Sequence, residues 1–377
     1  MKLALIRQRY TPFGGAERFL ERAINALGVN DLEVTVIARD WPVGTQSHFH
    51  RQLVKPFSIG RTWRDAAFAR AACRLVQAGN FDLVQSHERL ACCDVYRAGD
   101  GVHREWLLQR ARQRGAGARF LDRFSPFHRR LLNAERTLFA SPRLQHVICI
   151  SRMVRDDIQR HYPVPDEKLS VIYNGLDLAA FHPSLRDRHR DRLRRELGLE
   201  DDAVVFLFVG SGFERKGLPL LLRVWPDLPR QAHLVVVGHD KHASRYQSQA
   251  QSLGLRERVR FMGPQRDVLP WYGLADVFAF PTLYEPFGNA PFEALASGVP
   301  VLTTPRCGAG ELIRPGINGE IIDALDNAGW RQALCDWMQA ARHGNARVHA
   351  RASAEPFTFA VMEQNYRDLY SHLINRA

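Results

Sequence analysis

Runs of residues apolar on both faces punctuate the chain: LALI (3–6), EVTVIA (33–38), FDLVQS (81–86), HVICIS (146–151) and LSVIYN (169–174), then VVFLFVG (204–210), HLVVVG (233–238), VRFMG (259–263), VFAFP (277–281) and VPVLTT (299–304). Strands with this pattern belong to parallel sheets covered by helices on both sides, reached by helical crossovers. Two such series predict an α/β protein of two Rossmann-like β/α/β domains, 1–178 and 179–356. The connecting stretch, NGLDLAAFHPSLRDRHRDRLRREL (174–197), reads as a turn, a proline and a charged, solvated helix. At the end of the chain Met362, Tyr366, Leu369 and Leu373 recur at spacings of 4, 3 and 4. That is one face of a helix, placed at 357–377.

Composition agrees with two cores, since 377 residues of which 45% are hydrophobic exceed what one core holds comfortably. No run reaches the roughly 18 apolar residues of a membrane span, and MKLALIRQRY enters arginines without a cleavage site, so a cytoplasmic protein is expected. Six cysteines (73, 92, 93, 149, 307, 335) form no C-x-x-C pair. Neither a disulfide nor a metal is expected. Net charge is +12, and arginine supplies 47 of the 52 basic residues because lysine stands only at 2, 55, 168, 216 and 241. Such a balance suits nucleic acid, an anionic membrane surface or a phosphorylated substrate. Between Gly101 and Ala140, nine arginines face Glu105, Asp122 and Glu135, so half the excess sits in one segment.

In open parallel sheets ligands bind at the carboxyl ends of strands. Glu285 follows VFAFP there, in LYEPFGNAPFEALASGVPVLTTP (283–305). Gly288 allows close backbone approach, Asn289 is a suitable N-cap, and Pro291 fits the first helical turn, which would also hold Glu293. A carboxylate at Glu293 can accept from two vicinal hydroxyls, as a ribose offers, and Glu285 can do so for a hexose. After VVFLFVG, the turn SGFERKGL brings Arg215 and Lys216 to another strand end, where they suit two adjacent phosphates. Arg215 stands where a dinucleotide fingerprint needs glycine, and Leu218-Pro219 where a P-loop needs Lys-Ser/Thr. In YTPFGGAERFL (10–20) a Gly-Gly pair follows the first strand, where the amides of Gly14 and Gly15 could face a phosphate or an acceptor sugar from the first domain.

Together E-P-F-G…E-A-L-A-S-G-V-P-V, G-S-G-F-E-R-K-G, N-G-L-D (174–177) and C-G-A-G-E-L-I-R-P-G-I-N-G (307–319) resemble retaining glycosyltransferases of family four, with the GT-B fold. Within that family the likeness is to enzymes that add the first glucose to the inner-core heptose of lipopolysaccharide. It rests on Y-x-P-F-G-G at 10–15, D-V-Y-x-A-x-D at 94–100 and the basic segment that follows. The resemblance implies that Arg215 and Lys216 bind the diphosphate of a UDP-sugar and stabilise its charge as the glycosidic bond breaks. Glu293 would hold the ribose, and Glu285 with the amides of Phe287, Gly288 and Asn289 the transferred sugar. Gly14 and Gly15 would line the site from the other domain. Asp100 matches the aspartate near the reaction centre, with His87 and His103 as rivals. The terminal helix would pack on the first domain.

No metal or other cofactor is expected, as the sequence offers neither an Asp-x-Asp motif nor a histidine cluster of metal-ligand type. A GT-B sugar-nucleotide epimerase is the alternative enzyme, and another donor or cell-surface glycan the alternative substrate. A nucleic-acid module is disfavoured, since the arginine-rich segment lacks a recognised motif. In RFLDRFSPFHRRLLNAERTLF (119–139), Phe120, Phe124, Phe127 and Leu131 recur among Arg119, Arg123, Arg129 and Arg130, and Ser125-Pro126 starts a new helix. With a lipid-linked acceptor, these arginines would dock a monomeric enzyme peripherally on the cytoplasmic face of the inner membrane.

Overall fold

The structure is a computed structural model and describes residues 2–8, 33–40, 50–115, 124–340 and 345–374. The chain divides into unit 1, Met1–Gly175 with Phe359–Ala377, and unit 2, Leu176–Thr358. Among the described residues, unit 1 contains β1 (Lys2–Ile6), β2 (Glu33–Ala38), β3 (His50–Leu53), α1 (Arg61–Ala78), β4 (Leu83–Ser86) and β5 (Val95–Arg97). It continues through α2 (His103–Arg114), α3 (Pro126–Phe139), β6 (His146–Cys149), α4 (Arg152–His161) and β7 (Leu169–Val171). The seven strands are parallel, in the order β3-β2-β1-β4-β5-β6-β7. Leu3 is in register with both Val34 and Leu83, so the most apolar run lies at the centre.

Unit 2 opens with α5 (Leu185–Glu196), then β8 (Val204–Val209), α6 (Leu218–Val224), β9 (Ala232–Val237), α7 (Ala243–Ser252) and β10 (Val259–Gly263). It goes on through α8 (Leu269–Leu274), β11 (Val277–Ala279), α9 (Asn289–Ala296), β12 (Val301–Thr303), β13 (Gly319–Ile321), α10 (Asn327–Ala340) and α11 (Asn345–Ala354). Its parallel sheet runs β10-β9-β8-β11-β12-β13, and every residue of the central β8 is buried.

The final helix, α12 (Phe359–Ile374), belongs to unit 1. Met362, Tyr366, Tyr370 and Leu373 pack against Leu3, Leu5, Val34, Val36, Leu83 and Val95, with Leu369 partly buried beside them. The two tyrosines also carry polar contacts inward. The Tyr366 hydroxyl accepts from Arg97 Nε at 3.1 Å, and the Tyr370 hydroxyl donates to Gln85 Oε1.

Three short strands escape the hydrophobic pattern. HRQL of β3 is a polar edge strand, while VYR and GEI of β5 and β13 are three residues each. Two expectations need correcting. The charged helix α5 is packed and not solvated: Leu185, Leu193 and Arg194 are buried. Arg186 and Arg190, one turn apart, both reach the Asp276 carboxylate, at 3.2 and 2.8 Å. Arg190 also donates to the Leu274 carbonyl, and Arg194 to that of Ala203. Arginine at i, i+4 and i+8 thus presents donors to one carboxylate and to backbone carbonyls, a partnership invisible in a charge count. The second correction is a disulfide, Cys73–Cys92, which joins α1 to the connection between β4 and β5. The tertiary approach of those elements, with Cα atoms 5.6 Å apart, brings together cysteines whose spacing carried no signal.

Candidate functional site

The strand ends of unit 2 gather the charged residues. After β8 the chain turns through Gly210–Gly217, and Gly217 adopts a left-handed conformation (φ 84°) as the N-cap of α6. A Cβ there would lie 1.9 Å from the Pro281 carbonyl oxygen, so only glycine lets this turn press against the end of β11. The turn is then latched. The Arg215 carbonyl accepts from Leu283 N at 2.9 Å, and Asp240 accepts from Phe213 N at 2.8 Å.

Arg215 and Lys216 are thereby aimed at the segment carrying Glu285. Arg215 Nη1 donates to Glu285 Oε2 at 2.8 Å and to the Tyr284 carbonyl at 2.9 Å. The Lys216 ammonium is 3.8 Å from the same carboxylate oxygen and 5.1 Å from the Phe280 ring centroid. Its stem crosses Gly210, where a Cβ would come within 2.6 Å of Lys216 Cδ. Burial lowers the Lys216 pKa and the Arg215 guanidinium adds to this, while Glu285, Cys307 and Glu293 oppose it. Additional negative charge beside Lys216 would favour its charged form.

Glu285 itself is held by main chain: its N–H donates to the Arg306 carbonyl at 2.8 Å and its carbonyl accepts from Gly308 N at 3.0 Å. Gly288, at φ 95°, is the N-cap of α9 and Asn289 the first helical residue, so the cap lies one position earlier than expected. Glu293 is correspondingly the fifth residue of α9, beyond its first turn. It accepts from the Tyr272 hydroxyl at 2.7 Å. Burial, then the Glu293 charge and that hydrogen bond, push the Tyr272 pKa well up. The tyrosine therefore stays a donor and fixes the carboxylate. The Phe287 side chain is buried and meets Phe292 edge-on at 5.4 Å, whereas Asn289 is exposed.

Sequence reasoning missed Tyr272, Phe280 and the 306–308 backbone. Tyr272 lies in the apolar stretch LPWYGL of α8, which reads as core, and only its spacing ahead of β11 could have flagged it.

In unit 1, Gly14, Gly15, Arg119 and Arg123 lie outside the described residues. Asp100 is exposed on the turn after β5, with its carboxylate 3.8 Å from Arg89. Its two rivals are buried. His87 meets Gln85 Nε2 at 3.2 Å, and burial, then Arg97 and Arg7, hold its pKa well below the ordinary value. His103 starts α2 and stacks on Trp106, with His128 Nδ1 3.1 Å away. Burial, then Arg89, His128 and Arg110, lower its pKa to about 3. The structure also brings in Glu88 and Arg89. Burial and the Asp100 charge raise the Glu88 pKa, and Arg89 donates to the Gly101 carbonyl at 2.9 Å and to the buried Glu135 at 2.9 Å. Ser125 caps α3 as the sequence suggested; Arg129 is exposed and the Arg130 guanidinium donates to the Thr62 carbonyl.

Paired α/β units with charged residues at the strand ends of unit 2 define a glycosyltransferase of the GT-B class. The family description "Glycosyltransferase Family 4" matches residues 13–180, and "Glycosyl transferases group 1" matches 189–352. The lipopolysaccharide glucosyltransferase WaaG of Escherichia coli is 26% identical over 91% of this chain and 94% of its own. A crystal structure of WaaG superposes with a TM-score of 0.81 at 23% identity, over 97% of this chain and 99% of that one. A probable transglycosylase of Burkholderia thailandensis is 30% identical over 90% of this chain and 87% of its own. The Anabaena protein HepE, solved with UDP and glucose, gives a TM-score of 0.73 at 21% identity over 99% and 100% of the two chains. The chain belongs to glycosyltransferase family 4.

Proposed function

We propose that this protein is a retaining hexosyltransferase that moves glucose from UDP-glucose onto the heptose of the lipopolysaccharide core. One observation carries the donor half: Arg215 and Lys216 converge on a single Glu285 oxygen, with Glu293 fixed by Tyr272 on the neighbouring helix. Two cations sharing one carboxylate suit a diphosphate, and a carboxylate oriented by a hydroxyl donor suits the vicinal hydroxyls of a ribose. In this reading Arg215 and Lys216 stabilise charge growing on the leaving diphosphate, which takes the acceptor's proton as the new bond forms on the same face. Glu285 orients the hexose, and the exposed Asp100 belongs to the acceptor side. A HepE structure with UDP and glucose supports the donor class, and WaaG the acceptor class.

No described helix is long and apolar enough to cross a membrane. The reading further proposes a monomeric enzyme working peripherally at the cytoplasmic face, with Arg119, Arg123, Arg129 and Arg130 toward lipid or acceptor. The test is incubation with heptose-terminated lipopolysaccharide and a panel of sugar nucleotides, followed by product mass analysis. Addition of one hexose from UDP-glucose is expected. Transfer from a different nucleotide sugar overturns the donor, and conversion of UDP-glucose without acceptor overturns transfer in favour of epimerisation.

A further inference from the structure

Among the described residues, four of the ten large apolar side chains left exposed lie between positions 53 and 63. Leu53, Phe57, Ile59 and Trp63 are exposed at 52%, 79%, 69% and 46%. Exposure alternates from β3 into the segment after it: Arg51, Leu53, Lys55, Phe57 and Ile59 face solvent, while Val54 is buried and Gln52, Pro56 and Ser58 are half-buried. A period of two places those five on one side of an extended chain, with cations and hydrocarbon taking turns. Gly60, at φ 78°, turns the chain into α1, where Trp63 meets Phe57 edge-on with ring centroids 6.1 Å apart.

The charge on this strip has a single sign. Residues 50–64 contain no Asp or Glu. The first acid, Asp65, accepts from Gln8 Nε2 at 2.9 Å and pairs with Arg64 at 3.8 Å. The bond from Arg130 to the Thr62 carbonyl ties the start of α3, with exposed Arg129, to the same region. Phe124, just before α3, is 61% exposed.

We infer that the β3 edge and the start of α1 form a docking surface for an anionic lipid bilayer. Phe57, Ile59 and Trp63 enter the boundary between headgroups and acyl chains, and Arg51, Lys55 and Arg129 meet lipid phosphates. A bilayer interface is anionic and apolar within a few ångströms of depth, and a strip alternating cations with apolar side chains matches both layers at once. An acidic protein partner would satisfy the cations and leave the hydrocarbon without its counterpart. The inference rests on the peripheral-membrane part of the proposed function, with Arg129 common to both, and does not depend on the identity of the sugar transferred.

The full chain is tested on vesicles of mixed phosphatidylglycerol and phosphatidylcholine. Phe57→Ser/Ile59→Ser/Trp63→Ser should lower partitioning about tenfold or more by co-sedimentation. Brominated lipid should quench the fluorescence of the wild type more than that of Trp63→Phe. Calorimetric binding of UDP to the triple variant reads the donor site separately, so failure of either reading is distinguishable. Unchanged partitioning in the triple variant overturns the inference. So does a wild-type dimer that the triple variant dissolves, which would assign the exposed edge strand to a second copy.

Discussion

In unit 2 the central strands are hydrocarbon throughout, and the charged groups of the candidate site lie beyond strand ends, separate in sequence from the buried ion cluster about Asp276 ahead of β11; in unit 1 charge is buried around the candidate residues themselves. Val204–Val209 is buried without a polar side chain, and Arg215, Lys216 and Glu285 lie beyond strand ends. Unit 1 instead buries His87, Arg97, His103, Glu105 and Glu135 around β4, β5 and the helices that follow. Glu135 alone accepts from Arg89 Nε, the Tyr162 hydroxyl and the amides of His103 and Arg104. The difference teaches that chemistry and stability are separable in one unit and entangled in the other. In the proposed reading, removing a donor-site side chain takes away an interaction made with a ligand. Removing a group beside Asp100 takes away part of the scaffold.

The hardest test of that contrast is Glu135→Ala. It leaves a buried guanidinium without its carboxylate, so a loss of about 3–5 kcal/mol is expected in unit 1. Hydrogen exchange should rise across 83–162 while amides of 204–321 keep their protection. Equal deprotection of both regions would break the comparison. Next in size, Lys216→Ala and Glu293→Ala should each weaken donor use by about ten- to hundredfold, the value of a charge-assisted hydrogen bond of about 1.5–3 kcal/mol. Both should melt at the wild-type temperature. Lys216 is held in a site that already disfavours its charge, so its removal relieves a buried charge while it loses contacts. A fall in melting temperature comparable to that of Glu135→Ala would show the donor site to be scaffold too.

The smallest effect per group comes from pH. His103 stays neutral in the folded protein down to about pH 3, whereas its unfolded form takes up a proton near 6.5. Between those values the unfolded state binds the extra proton, so unit 1 loses stability as pH falls. From pH 6.5 to 5.5 the loss is about 1 kcal/mol for His103. His87 and His146, also lowered by burial, act in the same direction. Urea midpoints read by probes in each unit should separate on acidification, and His103→Gln should flatten the unit 1 profile. A unit 1 midpoint that does not move between these pH values would remove the histidines from the contrast.

The same contrast explains what was legible in the sequence. Apolar runs announce strands of either unit, and Glu285, Glu293, Arg215 and Lys216 stand beside such runs, so local pattern sufficed for them. Tyr272 bonds Glu293 from 21 positions away, and Arg186 reaches Asp276 from 90. Neither link leaves a trace in spacing. The buried ions of unit 1 are harder still, because Arg89 and Glu135 read individually as solvated surface until tertiary structure pairs them. Cys73 and Cys92 were dismissed for want of a motif, though a disulfide needs only approach in space.

The return of α12 to unit 1 fixes an order of events on the ribosome. Residues 176–358 form one uninterrupted stretch, so unit 2 has all its strands once that stretch has emerged. Unit 1 begins first and finishes last. Until Met362, Tyr366, Tyr370 and Leu373 leave the exit tunnel, the apolar face formed by Leu3, Leu5, Val34 and Leu83 lacks the cover that α12 gives it. For the whole time taken to synthesise unit 2, at about 5–20 residues per second, the nascent chain carries an open core that chaperones can bind. Emergence of α12, more than any earlier step, is when unit 1 becomes a finished fold.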